Sequence, residues 1–252
     1  MKKLENKVAL ITGAGSGMGR MQAILFAKEG AQIIAADINL EGIEKTVEEI
    51  RSNGGDALAV EIDVSKKNSV EEGVKRGLDK FGRIDILSNT AGILDDYKPT
   101  LDTSEELWDK IMNVNLKGVY YMTNAVLPQM LERKEGIIIN IASIAAFVAG
   151  GGGAAYTSAK HAIAGYTKQL SFDYGQKGIR VNAIAPGAIE TGMTKEIFKE
   201  GSADVMEAVK SVPAGRYGQP EEIASVALFL VSDDASFMHG AIVPVDGGWI
   251  VK

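Results

Sequence analysis

The chain has no cysteine and only two histidines, His161 and His239, far apart in sequence. The first absence excludes disulfides, thiolate catalysis and cysteine-ligated metals, and leaves the redox compartment open. The second gives little support to a histidine-based triad or metal centre. Proline is scarce, at six residues, and no Pro/Ser-rich linker or shift in composition divides the 252 residues. One domain over residues 1–252 is therefore expected, long enough to bury a sizeable core. Basic clusters are missing as well, and the formal charge is −6. That balance argues against a nucleic-acid partner, which needs grouped Lys and Arg. Met1 to Glu5 is too polar for a secretory signal and runs directly into "KVALITG", so a cytoplasmic location is expected.

Charge is also absent from Ile137 to Ala155, a stretch of 19 residues, about the length of a membrane span. The segment carries Asn140, Ser143 and four consecutive glycines, and reads instead as a buried strand followed by a loop. No membrane partner is expected.

What the sequence does have is alternation. Short apolar runs at Val8–Ile11, Ile33–Ala36, Ala57–Ile62, Ile84–Ser88, Ile137–Ala142, Ile179–Ala185 and Ala241–Val245 read as strands. Between them lie helical patterns: Met21, Ile24 and Leu25 on one face before a stop at Gly30, and later Val70, Val74, Leu78 and Phe81. Strands separated by helices imply right-handed βαβ units, and continuous apolar strands imply a parallel sheet buried on both faces. The fold class expected is α/β, a doubly wound Rossmann fold with a seven-stranded parallel sheet between two layers of helices. Ligands of such sheets bind beyond the carboxyl ends of the strands, where the strand order reverses.

Chemistry-bearing residues follow the strands. The first runs into "TGAGSGMG", Thr12 to Gly19, with Gly13, Gly17 and Gly19 in the spacing T-G-x-x-x-G-x-G. A glycine-rich turn admits a pyrophosphate close to the backbone, and the following helix N-terminus supplies free N–H groups. Asp37 ends the second strand, where a carboxylate can accept both hydroxyls of an adenosine ribose and repel a 2′-phosphate. Neither Ile38 nor Asn39 offers a positive charge to reverse that preference, and a turn aspartate capping the next helix is the alternative. Asp63 can receive an adenine amino group or begin a helix. Tyr156 and Lys160 lie four apart at the start of a helical run: an ordinary helix-face pair, or a phenol beside an ammonium that moves a proton.

Seven motifs follow one another in order: "TGAGSGMG", "SNTAG" (Ser88–Gly92), "NVNLKG" (Asn113–Gly118), Ser143, "YTSAK" (Tyr156–Lys160), "IAPG" (Ile184–Gly187) and "VDGG" (Val245–Gly248). Together they resemble the short-chain dehydrogenase/reductase family over essentially the whole chain. The resemblance implies Tyr156 as the acid/base and Lys160 as its electrostatic partner and a donor to the nicotinamide ribose. It also implies Ser143 as the hydroxyl that holds the substrate oxygen, and Asn115 as the anchor of a water path. Lys160 and the oxidised cofactor are expected to lower the tyrosine's pKa from its usual value of about 10. The cofactor-binding set it implies adds Ser16, Met18, Val64, Asn89, Ala91, Gly92, Pro186, Gly187, Ile189 and Thr191. Thr90 departs from the family's usual second asparagine.

The implied activity is interconversion of a secondary alcohol and a ketone, with NAD preferred over NADP because of Asp37. An NADPH-dependent 3-oxoacyl-carrier-protein reductase, a nucleotide-binding regulator without turnover, and a methyltransferase on a similar sheet are the alternatives. Selectivity is expected in Ile93–Leu101 and in a lid, about 188–217. Lys195, Lys199 and Lys210 in the lid interleave with Glu196, Glu200, Asp204 and Glu207, as on a solvated helix face. Met112, Met122 and Met130 read as gap fillers. The family is usually a homo-oligomer, tetramer or dimer, and the apolar C-terminal segment fits burial against a partner subunit.

Overall fold

A computed structural model of the chain describes residues 2–192, 194, 207 and 209–251. Seven parallel strands form one sheet: β1 (Val8–Thr12), β2 (Gln32–Asp37), β3 (Ala57–Glu61), β4 (Ile86–Asn89), β5 (Gly136–Ile141), β6 (Ile179–Pro186) and β7 (Ile242–Val245). Their order, β3-β2-β1-β4-β5-β6-β7, reverses between β1 and β4, with Leu10 opposite Leu87 in the register. The crevice beyond those two strand ends is where ligands of this architecture bind.

Alternate residues of β1 face opposite layers. Ala9 and Ile11 pack with α1 (Gly17–Lys28), α2 (Leu40–Ser52) and the helix Pro220–Val231, while Val8 and Leu10 pack with α3 (Lys67–Phe81), α5 (Gly118–Arg133) and α6 (Ala154–Tyr174). Both faces are therefore apolar, as the unalternating strand sequences require. Two short elements complete the path. The helix α4 (Glu105–Ile111) runs into a π-helical turn, Met112–Lys117, before α5 begins. The helix Pro220–Val231 is α7, opened by a reciprocal cap in which the Gln219 N–H donates to Glu222 at 2.8 Å.

One expectation from the sequence changes. The buried face of α1 is Gln22, Ala23, Phe26 and Ala27, whereas Met21, Ile24 and Leu25 are half-buried. The helix is wedged between the sheet, α2 and α7, so the small residues take the tightest side. Met122 and Met130 are fully buried in the core and Met112 is half-buried, as gap fillers are. Of the expected lid, Met193, residues 195–206 and Ala208 lie outside the described residues, and with them Lys195, Glu196, Lys199, Glu200 and Asp204. No helix among the described residues is long and apolar enough to cross a membrane.

Candidate active site

The end of β1 turns sharply because three glycines permit it. Gly13 and Gly17 hold positive φ, +69° and +50°. A Cβ on Gly19 would stand 2.2 Å from the Gly13 carbonyl oxygen, so the first turn of α1 and the loop pack at backbone contact. Ser16 precedes that helix without capping it by its side chain, leaving the first N–H groups of α1 available. Thr12 ties this turn to the next strand: its hydroxyl accepts the N–H groups of Thr90 at 2.9 Å and Ala91 at 3.0 Å. Thr90, the departure from the usual asparagine, joins a polar cluster instead, its hydroxyl 2.9 Å from Ser88 Oγ and accepting Gln22 Nε2 at 3.1 Å.

Asp37 sits against the loop. Its Oδ2 accepts the Gly15 N–H at 3.0 Å and its Oδ1 the Asn39 N–H at 2.9 Å. The cap of α2 is Asn39, which accepts the Gly42 N–H at 3.1 Å, so Asp37 is not the helix cap. A cavity of about 380 Å³ opens over these groups, lined by Gly13, Ser16, Gly17, Met18, Gly19, Asp37, Asp63, Val64, Ala91, Gly92 and Thr191. Asp63 lines it while its Oδ1 also accepts the Ser65 N–H and hydroxyl, at 3.0 and 2.6 Å. Burial pushes its carboxyl up, but Ser65 and Lys66 outweigh that and hold it below the usual range. The glycine cradle, open helix terminus and ribose-height carboxylate fit the dinucleotide that the sequence implies.

A second cavity of about 300 Å³ shares Met18, Thr90, Gly92, Ile93 and Thr191 with the first and extends past the ends of β5 and β6. Ser143, Tyr156, Lys160, Pro186, Gly187 and Ile189 line it. Thr191 bridges the crevice: a Cβ on Gly17 would lie 3.3 Å from Thr191 Cγ2. Ser143 follows β5, and its Oγ accepts the Ala145 N–H at 3.1 Å. Tyr156 and Lys160 share one face of α6. The Lys160 Nζ donates to the Ile141 carbonyl oxygen at 2.7 Å and stands 5.4 Å from the centre of the Tyr156 ring.

Asn115 and Asn89 line neither cavity. Asn115 is fully buried in the π-helical turn, a feature often kept at functional sites. Its Oδ1 accepts the Ile93 N–H at 2.8 Å and its Nδ2 donates to the Ile93 carbonyl at 2.9 Å, which fixes the chain after Gly92. Asn89, expected along the cofactor, is buried and donates to Asn140 Oδ1 at 2.9 Å, its register partner on the neighbouring β5.

Without a cofactor the electrostatics of the pair are set by burial. Burial pushes the Tyr156 phenol up to about 12; the neighbouring Ser143 hydroxyl acts to lower it, while Tyr97 and Asp95 push it further up. Burial likewise brings Lys160 down to about 8. In the chain alone the phenol is therefore held protonated rather than activated, since desolvation exceeds the help of nearby polar groups. The sequence motifs missed Asp95, Tyr97 and Trp249, all at or beside this cavity; only the position of "ILDDYKPTL" after the fourth strand pointed toward two of them. His161 is exposed, with Nδ1 3.0 Å from the Thr157 carbonyl, and no group of residues able to hold a metal ion occurs among the described residues.

Fold and site together define a nucleotide-binding α/β protein whose crevice joins a phosphate loop to a Ser/Tyr/Lys cluster. Residues 13–250 match the sequence model of a family described as enoyl-(acyl carrier protein) reductase. The chain belongs to the short-chain dehydrogenase/reductase family, whose members named here are oxidoreductases acting on CH–OH groups. It is 39% identical to a 3-oxoacyl-(acyl-carrier-protein) reductase of Thermotoga maritima, covering 99% of this chain and 100% of that one. It is 41% identical to cyclohexanol dehydrogenase of an Acinetobacter species, covering 99% and 97%. A solved structure from Beutenbergia cavernae with NADP bound at low occupancy superposes with a TM-score of 0.93, at 34% identity and 99% coverage of both chains.

Proposed function

We propose that the chain, acting as one catalytic domain, interconverts a secondary alcohol and a ketone with a nicotinamide cofactor, NAD(H) in preference to NADP(H). The observation that carries this reading is the convergence of Ser143, Tyr156 and Lys160 in a cavity continuous with the glycine loop. The cofactor, when bound, supplies the hydride acceptor or donor. Gly13, Ser16, Gly17, Met18 and Gly19 would hold its phosphates, Asp37 its adenosine ribose, Asp63 and Val64 its adenine. Ala91 and Gly92 would line its middle, and Pro186, Gly187, Ile189 and Thr191 its carboxamide end.

Tyr156 takes the hydroxyl proton in oxidation and returns it in reduction, Ser143 donates to the substrate oxygen, and Lys160 opposes the charge on the phenolate. Asn115 acts by fixing Ile93, which borders both cavities. The substrate wall is apolar, with Ile93, Leu94, Ile144, Val209 and Trp249, and suits a compact uncharged ketone. The relative named for cyclohexanol fits that class. The relative named for an oxoacyl carrier substrate supports a second reading, reduction with NADPH, against which stands the Asp37 carboxylate bound to Gly15.

Steady-state rates with NAD⁺ and NADP⁺ across cyclic and linear secondary alcohols test the reading. Turnover of an uncharged alcohol with kcat/KM higher for NAD⁺ supports it. Turnover confined to 3-oxoacyl thioesters with NADPH would replace it with the second.

A further inference from the structure

Asp95 belongs to none of the motifs and takes no part in the proton transfer described above, yet it is fully buried, and no basic side chain pairs with it among the described residues. Its partners are backbone groups at the start of α6. Oδ1 accepts the Gly153 N–H at 2.8 Å, and Oδ2 accepts the N–H of Tyr156 itself at 2.8 Å. A third bond closes the clamp, from the Ala154 N–H to the Lys98 carbonyl at 3.0 Å. Between Asp95 and Lys98 the chain passes through Asp96 and Tyr97, both with left-handed φ, +54° and +58°. A tyrosine in that region is strained, and strain of this kind persists where surrounding contacts over-determine the backbone.

The glycine run is shaped to the clamp. A Cβ on Gly153 would lie 2.6 Å from Asp95 Oδ2 and 2.6 Å from the backbone N and O of Lys98. A Cβ on Gly152 would lie 2.4 Å from Tyr156 Cδ1. The carboxylate thus replaces solvent at a helix N-terminus, where a negative group is favoured and its hydrogen bonds are charge-assisted. It also joins the substrate-side loop, with Tyr97 facing the cavity, to the helix that carries Tyr156.

We propose that Asp95 is a positioning residue: it locks the first turn of α6 to residues 93–98, and so fixes Tyr156 and the substrate wall as one unit while placing a negative charge behind the phenol. This rests on the reading that Tyr156 carries the proton. The groups that face Tyr156 are Asp95 and Tyr97 from the loop, Lys160 from its own helix, and the Ser143 hydroxyl beyond β5. The loss of the Asp95 charge eases formation of the phenolate, and the loss of one clamp bond loosens the geometry.

The test compares Asp95→Asn, Gly153→Ala, Tyr156→Phe and the wild-type chain in alcohol oxidation from pH 6 to 10, with rates expressed per NADH-binding site. In Asp95→Asn the ascending limb of kcat moves to lower pH by about half a unit or more, as expected for a removed like charge. Its plateau kcat falls about tenfold and its KM rises, while the Kd for NADH stays within about twofold. Gly153→Ala keeps the charge but displaces the clamp, so its kcat falls with the limb unmoved. Wild-type kcat, KM and pH limb in Asp95→Asn overturn the inference. If that variant does not fold, wild-type kcat and KM in Gly153→Ala overturn it instead. Full activity in Tyr156→Phe overturns the underlying proton-transfer reading, a different outcome from either.

Discussion

The ammonium of Lys160 donates to the Ile141 carbonyl oxygen at 2.7 Å, and this single bond from α6 to the end of β5 holds a buried charge 5.4 Å from the Tyr156 ring. A buried lysine is costly to ionise, and Lys160 is drawn down to about 8 for that reason. It is still an ammonium at neutral pH, the form that opposes a phenolate. In Lys160→Met, the ascending limb of alcohol oxidation should therefore move to higher pH, opposite to the shift expected when a negative neighbour is removed. An unchanged limb in kcat against pH contradicts that role.

The same group makes a stability prediction with a fixed sign. A lysine whose folded pKa is depressed costs stability when ionised, so the cost is absent above about 10.5, grows as pH falls, and is complete below about 8. Relative to Lys160→Met, the wild-type chain should gain about 3 kcal/mol between pH 8 and 10.5, at about 1.4 kcal/mol per pH unit. Tyr156 acts in the other direction and higher: its folded pKa of about 12 means that its contribution is lost as pH rises from 10 to 12. Urea unfolding at three pH values in each variant measures the difference, and parallel curves for wild type and Lys160→Met contradict it.

Gly19→Ala places a methyl group where the Gly13 carbonyl oxygen already stands, 2.2 Å away. The loop and the first turn of α1 must separate, which spoils the anion cradle before it disturbs the sheet. NADH affinity should drop by about tenfold or more, by the usual scale of misplaced polar contacts. Titration of NADH fluorescence gives the Kd, and wild-type affinity speaks against the cradle.

In the proposed reading Asp37 sets the cofactor preference. Its carboxylate is bound to Gly15 and Asn39 at the end of β2, where a 2′-phosphate would meet a like charge. Asp37→Ser should shift the ratio of kcat/KM for NAD⁺ over NADP⁺ toward NADP⁺ by about tenfold or more, about 1.4 kcal/mol of discrimination. An unchanged ratio defeats the ribose assignment.

Most of the fold was legible because burial on both faces writes itself into unalternating strands such as "IIINIA", and because the glycine loop, Asp37, Ser143 and the Pro186-Gly187 turn sit where strands end. The face of α1 was misread for a physical reason. Periodicity finds large apolar residues, but the tightest contact in this helix needs small ones, Ala23 and Ala27, beside Phe26. The bond from Asn89 to Asn140 across the β4–β5 pair was not legible, because it depends on a strand register that no motif encodes. Asp95 was signalled only by its place in the loop after the fourth strand, since a carboxylate that binds backbone N–H groups 58 and 61 residues away has no local pattern to betray its role.

The most direct test of the account is production of reduced nicotinamide from NAD⁺ and a secondary alcohol by wild type and Tyr156→Phe, with NADH binding measured on both. Removing a general acid/base should lower kcat by about 10²- to 10⁴-fold while NADH binds the variant as it binds the wild type. A Tyr156→Phe chain that binds NADH and oxidises the alcohol at the wild-type rate would contradict the assignment of Tyr156 as the proton carrier.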